Sequence, residues 1–422
     1  MRSENKHFRR IVLAVLLLAP IILIGPAICR SESPIKIGLI DSYSGGAAYT
    51  TKQALYGWQM VVDDFNANGG LKGRKIEIIT RDDKFKVDEA LALAREMVLK
   101  ERVDFLAGVF NSGAALAVSE FAKNKKQLFM AVNWGFRTTG EMGHRYVFRA
   151  CGTTGIQGTA QGFYAATKPF KKWYIIGDDY ESGHSVAESF LKGLKQRKPD
   201  AVIVGETWAK VGETDYTPYL SAVMAQKPDA VYGAWGGSSI LSFTKQAKMF
   251  GLFEKIPYLA GYLGDPTFAM VLKESYPVGV YTGNGYLWYY PATPANKEFV
   301  KKYMDYAAKK GDADSYPPES GFGGYMSAKF LTEAILKAKS AKTEDVINAM
   351  EGLTLETPIG PLTMRACDHQ TMYPYYIGEI ARVPGYPFAI LKDITTVAAK
   401  DVAPSCEEVA AQRKAHKQLE RQ

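Results

Sequence analysis

The sequence predicts an α/β fold built on parallel sheets, and three observations carry that prediction. Short β-rich runs alternate with helical runs of about 10–15 residues through the body of the chain, and the runs end in Gly, Asn, Asp or Ser clusters. Strand–helix–strand alternation of this kind makes right-handed βαβ units, whose strands lie parallel. Composition agrees: 47% hydrophobic and 23% charged residues suit a globular chain and exclude a disordered or fibrous one. A length of 422 residues leaves room for two or three domains at about 150 residues each.

The elements follow in order. Ile35 to Ile40 is a β-rich run that stops at Asp41-Ser42-Tyr43-Ser44-Gly45-Gly46. Gln53 to Asn66 repeats Ala54, Leu55, Trp58, Val61, Val62 and Phe65 at helical spacing, and Asn68-Gly69-Gly70 supplies the left-handed residues of a helix stop. Lys75–Thr80 is the next strand and Val87–Lys100 the next helix. Val103–Val109 runs to Asn111-Ser112-Gly113, with Ala114–Lys123 helical after it, and Leu128–Val132 leads into Asn133-Trp134-Gly135. The alternation resumes with strands at Trp173–Gly177, Val202–Thr207 and Ala230–Ala234, interleaved with helices at Ser185–Gln196, Tyr216–Ala225 and Ile240–Phe250.

The first residues read as an address. Arg2, Lys6, Arg9 and Arg10 precede an apolar run from Ile11 to Ile24, which Gly25-Pro26-Ala27 breaks before a polar Arg30-Ser31-Glu32-Ser33. This order predicts a secretory signal peptide over residues 1–29 and a periplasmic mature protein. A retained anchor is the alternative, against which the run is short of the ~20 residues a bilayer needs. Cys29 is a poor lipid-attachment site because bulky Ile28 precedes it. The formal charge of +8 comes with no Lys/Arg-rich run after residue 30, so no nucleic-acid partner is expected.

In a parallel sheet, ligands bind outside the carboxyl ends of the strands. The loops Asp41–Gly46, Phe110–Gly113, Asn133–Arg137, Asp178–Gly183 and Trp235–Ser239 lie there. Such loops offer backbone N–H groups at helix starts, which suit a carboxylate, although glycines and serines also serve as plain turns and caps.

The order of the pieces carries a resemblance. Ile37-Gly38-Leu39-Ile40 with Ser44-Gly45, then Asn66-Ala67-Asn68-Gly69-Gly70-Leu71-Lys72-Gly73-Arg74, resembles the amino-terminal signature of ABC-transporter periplasmic solute-binding proteins of the branched-chain amino acid (leucine/isoleucine/valine-binding) type. Agreement continues through Ser112-Gly113-Ala114-Ala115, Phe148-Arg149, Asp178-Asp179-Tyr180, Thr214-Asp215-Tyr216, Lys227-Pro228-Asp229, Gly324-Tyr325 and Gly360-Pro361-Leu362-Thr363. The resemblance implies a type I periplasmic-binding fold: two lobes, each a parallel sheet flanked by helices, joined by three crossovers. These fall near residues 149–154, 276–286 and 353–360. Lobe 1 is then 34–150 plus 285–354, lobe 2 is 151–284 plus 355–400, and 401–422 is a charged carboxyl-terminal extension.

The same resemblance implies a ligand between the lobes, a membrane permease as partner, no cofactor, and a monomer. Asn111, Ser112, Gly113 and Asn133, Trp134, Gly135 match the loops that hold a ligand carboxylate, and Tyr43 matches the position that covers the ligand. In the second lobe, Ser182 stands where a tyrosine is common and Tyr262 where an acid pairs with the substrate ammonium, although Asp265 follows three residues on. Without that acid a buried ammonium is costly. Tyr43, Trp134, Phe136, Tyr180, Trp235 and Tyr262 add aromatic surface. An aromatic or hydrophobic organic acid is therefore expected, with Arg137 as a possible bidentate contact; a branched-chain or other amino acid, or an amide, is the alternative ligand.

Enzyme readings find little. The chain has no Gly-x-Ser-x-Gly elbow, no phosphate-binding Gly-x-x-x-x-Gly-Lys loop, no His-Glu-x-x-His, and no Cys-x-x-Cys for zinc. A secreted α/β hydrolase is the alternative of another class. Export permits disulfides, and the mature chain keeps Cys151, Cys367 and Cys406. The charged extension has little apolar periodicity to hold it, so a Cys367–Cys406 bridge is expected, with Cys151 left free beside the first crossover.

Overall fold

The computed structural model describes residues 33–237 and 239–419. The expected leader, with Cys29, lies outside the described residues, as does Ser238. Lobe 1 opens with β1 (Ile35–Asp41), α1 (Ala48–Ala67), β2 (Ile76–Asp82), α2 (Val87–Glu96), β3 (Phe105–Gly108), α3 (Ser112–Lys125), β4 (Phe129–Ala131) and β5 (Val147–Arg149). These five strands form one parallel sheet in the order β2-β1-β3-β4-β5. β3, β4 and β5 are buried along their whole length, as strands covered on both faces by helices must be.

The chain then crosses to lobe 2 with α4 (Thr154–Ala166), β6 (Lys172–Asp178), α5 (Glu181–Arg197), β7 (Val202–Ala209), α6 (Thr217–Gln226) and β8 (Ala230–Ala234). Next come α7 (Ser239–Phe250), α8 (Leu252–Lys255), β9 (Tyr258–Ala260), α9 (Pro266–Leu272) and β10 (Tyr281–Asn284). A return to lobe 1 gives α10 (Pro294–Lys309), α11 (Glu319–Ala338), α12 (Thr343–Met350) and a hairpin of β11 (Thr354–Thr357) and β12 (Gly360–Thr363). The last elements are β13 (Tyr375–Ala381), β14 (Ile390–Val397), α13 (Ala399–Val402) and α14 (Cys406–Leu419).

Lobe 2 has seven strands in the order β14-β13-β10-β9-β8-β6-β7. Five are parallel, but β13 pairs antiparallel with β10, and β14 antiparallel with β13, which refines the expectation of a purely parallel sheet. β13 and β14 are consecutive, and a direct hairpin connection makes that pair antiparallel.

The first crossing falls between Arg149 and Thr154, and the second starts at Gly285. The third corrects the expected boundary. Leu355, Ile359, Leu362, Met364 and Tyr373 pack into the lobe 1 core, whereas Tyr375 and Ile377 pack with Ile156 and Ala160 of lobe 2. The chain therefore crosses at Tyr373–Tyr375, and Gly360-Pro361 opens β12 of a hairpin that stays with lobe 1.

The tail crosses once more. Ala399 and Val402 pack against α4 and β13 of lobe 2. Beyond them, Pro404 O accepts a hydrogen bond from Arg365 at 2.9 Å, and Arg413 donates to Gly140 O, Thr139 O and Cys367 O at 2.9–3.0 Å. Those partners belong to lobe 1, because the segment around Cys367 lies against β5 through the Arg149–Gln370 bridge. The structure joins Cys367 to Cys406 and leaves Cys151 free and buried, its thiol pushed up to about 12 by burial. No helix among the described residues is long and apolar enough to cross a membrane.

Candidate functional site

Each lobe presents its strand ends to the other, and one buried aspartate per lobe shapes the loops there. Asp41, at the end of β1, accepts from Phe110 N at 2.9 Å; Asp178, at the end of β6, accepts from Gly236 N at 2.9 Å. Burial raises both acids, Asp41 to about 8 and Asp178 to about 6. Each carboxyl thereby ties the loop after a neighbouring strand to its own strand end.

Between the lobes lies a cavity. Lobe 1 contributes Thr50, Phe85, Phe110, Ser112, Trp134, Glu319 and Ser320. Lobe 2 contributes Tyr180, Ser182, Gly236, Gly237, Ile240, Tyr262, Asp265, Thr267, Phe268 and Asn284. None of these is Lys, Arg or His. Six aromatic rings form much of the wall, with Phe110 edge-on to Trp134 at 5.7 Å. The lining also takes in the first turns of α3, α5, α7, α9 and α11. Helix N-termini carry unpaired N–H groups and a positive dipole end, so they favour an anion without a charged side chain.

The expected residues divide. Ser112, Trp134, Ser182 and Tyr262 line the cavity. Tyr43, Asn111, Gly113, Asn133, Gly135 and Trp235 are not among its lining residues, and most of them have other work. Asn111 caps α3 by accepting from Ala114 N at 3.1 Å. Asn133 is fully buried and donates to Thr138 at 2.9 Å. Gly135 N–H donates to Ser112 Oγ at 3.2 Å; a Cβ there would lie 2.9 Å from Ser112 Cβ, so a side chain would have to push the two loops apart. Trp235 turns into the lobe 2 core, stacked on Phe243, with its indole N–H donating to Tyr258. Tyr43 packs against the lobe 1 core. Arg137 pairs with Glu141 at 3.1 Å.

The acidic side of the site corrects the sequence reading more sharply. Asp265 does line the cavity, and Glu319 joins it from α11. Asp265 Oδ1 caps α9 by accepting from Thr267 N, while Oδ2 accepts from Glu319 N across the cleft, both at 3.0 Å. Glu319 accepts from Trp134 Nε1 at 3.0 Å and from Gly285 N at 3.2 Å. Burial raises both carboxyls, Glu319 to about 7.

An aromatic, anion-favouring cavity walled by the strand ends of two lobes defines a two-lobed solute-binding protein. Residues 34–383 match the periplasmic binding protein family, and the chain belongs to it. It is an ABC-transporter solute-binding protein of the branched-chain amino acid type. The Leu/Ile/Val-binding protein homolog 4 of Brucella abortus (strain 2308) is 24% identical over 372 residues, 83% of this chain and 85% of that protein. The Leu/Ile/Val-binding protein of Escherichia coli (strain K12) is 23% identical over 334 residues, 78% of this chain and 86% of that one. A solved solute-binding protein of an ABC transporter from Rhodopseudomonas palustris BisB5, in complex with 3,4-dihydroxy benzoic acid, is 26% identical with a TM-score of 0.77, covering 87% of this chain and 98% of that one.

Proposed function

We propose that this protein captures a small carboxylate with an aromatic or hydrophobic body, outside the cytoplasm, and delivers it as a monomer to a membrane permease without turning it over. The observation that carries the reading is the cavity wall: six aromatic rings, serine hydroxyls and helix N-termini, with no cationic side chain. Hydroxyls and backbone N–H groups hold a carboxylate, and rings stack on a planar body. The Rhodopseudomonas palustris neighbour, with its dihydroxybenzoic acid, agrees with it. An amino acid is the second reading, favoured by Asp265 and Glu319 in the lining. Against it, both acids already accept two hydrogen bonds from the protein.

A thermal-shift panel of aromatic acids, amino acids and amides decides between them. A ligand at about 100 times its dissociation constant stabilises by about 2.7 kcal/mol. The acid should shift the midpoint and its matching amide should not; equal shifts for both end the carboxylate reading. Ser112→Ala should weaken binding by about 1.5–3 kcal/mol, the range for a hydrogen bond to a charged group. Ligand should also draw the lobes together by hinge rotation. Small-angle scattering then shows a smaller radius at saturation, and an unchanged radius speaks against closure.

A further inference from the structure

Glu319 occupies an unusual place for a carboxyl group. It is 5% exposed, and its oxygens touch lobe 1 through the Trp134 indole and the second crossing through Gly285 N–H. A Cβ on Gly152 of the first crossing would sit 2.6 Å from Oε1, so two crossings close around it. The titratable groups that face it are Asp265, Tyr262, Cys151, Tyr373 and Tyr375. Every one of them is neutral or negative, and no cationic side chain lines the cavity. The neighbouring Ser320 hydroxyl, 4% exposed and in the lining, has no hydrogen-bond partner in the protein and is free to meet a ligand.

A carboxylate that enters this cavity therefore meets a second and a third carboxyl group with no cationic side chain in the lining to offset them. We propose that the ligand anion binds together with one proton from solvent, which settles on a Glu319 carboxylate oxygen, so that Glu319 makes uptake proton-linked and rejects carboxylates as the pH rises. This rests on the carboxylate reading of the site. Asp265 is raised by burial as well, with the two backbone N–H groups at its oxygens working against that rise. Burial already holds the Glu319 carboxyl at about 7 in the free protein, and a bound anion raises it further. The sign follows from linkage: well below that value the free protein already carries the proton, and affinity is flat. Above it, each ligand brings a proton, and affinity falls by up to about tenfold per pH unit until the carboxyl of the complex itself ionises.

The test is calorimetry on the mature protein with benzoate, phenylacetate and 3,4-dihydroxybenzoate, in two buffers of different ionisation heat, at pH 5.5 and 8. The acid that binds should take up close to one proton at the higher pH and almost none at the lower, with affinity lower at the higher pH. E319Q, a neutral mimic, should lose the uptake and bind the acid about tenfold tighter than the wild type at pH 8; this also separates Glu319 from Asp178. Should E319Q fail to fold, the wild-type buffer comparison decides alone. Binding with no proton exchange and constant affinity, or uptake that persists in E319Q, overturns the coupling and leaves the carboxylate reading intact. If none of the acids binds while leucine or phenylalanine does, both fall together.

Discussion

Arg149→Met should destabilise the protein by at least about 3 kcal/mol and abolish measurable ligand binding. Arg149 is fully buried at the end of β5, and its guanidinium donates to Gln370 Oε1, Asn133 O, Gly135 O, Phe136 O and Thr139 Oγ1. Those acceptors include most of the loop that presents Trp134 to the cavity. Burying a charge without a paired carboxylate costs several kcal/mol, which the substitution would recover. Five bonds from a charged donor, at about 1.5–3 kcal/mol each, outweigh that gain, and methionine satisfies none of them. Arg149→Lys should fall between, because a point ammonium lacks the fork that reaches acceptors on both sides. Denaturant unfolding measures the loss; a methionine variant within 1 kcal/mol of wild type that still binds ligand would show that the loop holds itself.

That loop also shows where the sequence was readable and where it was not. The strands and helices were plain, because apolar period and Gly/Asn stops are local signals. The cavity loops were plain for the same reason, but side-chain direction within them was not. In Asn133-Trp134-Gly135, the central ring faces the cavity while its neighbours are held by Thr138 and Ser112. After β8 the misreading is by one residue: Trp235 turns to the core and Gly236 meets the cavity. Successive residues of extended chain point to opposite sides, so a loop can be identified while the residue within it is not. Glu319 left no local trace at all. Its partner Trp134 lies 185 positions away, and only the second crossing brings α11 beneath the first-lobe loops. Asp265 was visible but off the expected position, because a register of three residues after β9 depends on how α9 is capped.

The proton-linked acid and the buried arginine divide the site's electrostatics between them. Arg149 donates to carbonyl groups behind the loop and does not line the cavity, although its charge acts on Tyr262 in the wall, and the helix N-termini of both lobes add positive potential there. Dipole ends on both sides of the cleft act together only when the lobes meet, which favours the anion in the closed form over the open one.

Reducing the Cys367–Cys406 bridge, or Cys406→Ser, should free the tail, loosen the hinge and cost about 3–4 kcal/mol. The bridge closes a loop of 39 positions, for which chain entropy gives that magnitude. Its path matters more than its length. The loop leaves lobe 1 at Cys367, crosses to lobe 2 at Tyr373–Tyr375, forms β13 and β14, packs α13 on α4, and returns to lobe 1 at Cys406. The two lobe 2 strands are thus covalently tied to lobe 1 at both ends, and any wide opening of the cleft has to stretch that strap. With the bridge gone, α14 keeps the Arg413 hydrogen bonds and the burial of Val409. Most of its other side chains are exposed or half-buried. Amide exchange over residues 406–419 should accelerate, and the ligand-free protein should scatter with a larger radius than the oxidised form, while the ligand-bound radii agree because closure relaxes the strap. Reduction that speeds exchange in α14 but leaves the ligand-free radius unchanged would mean that the bridge anchors the helix without restraining the lobes.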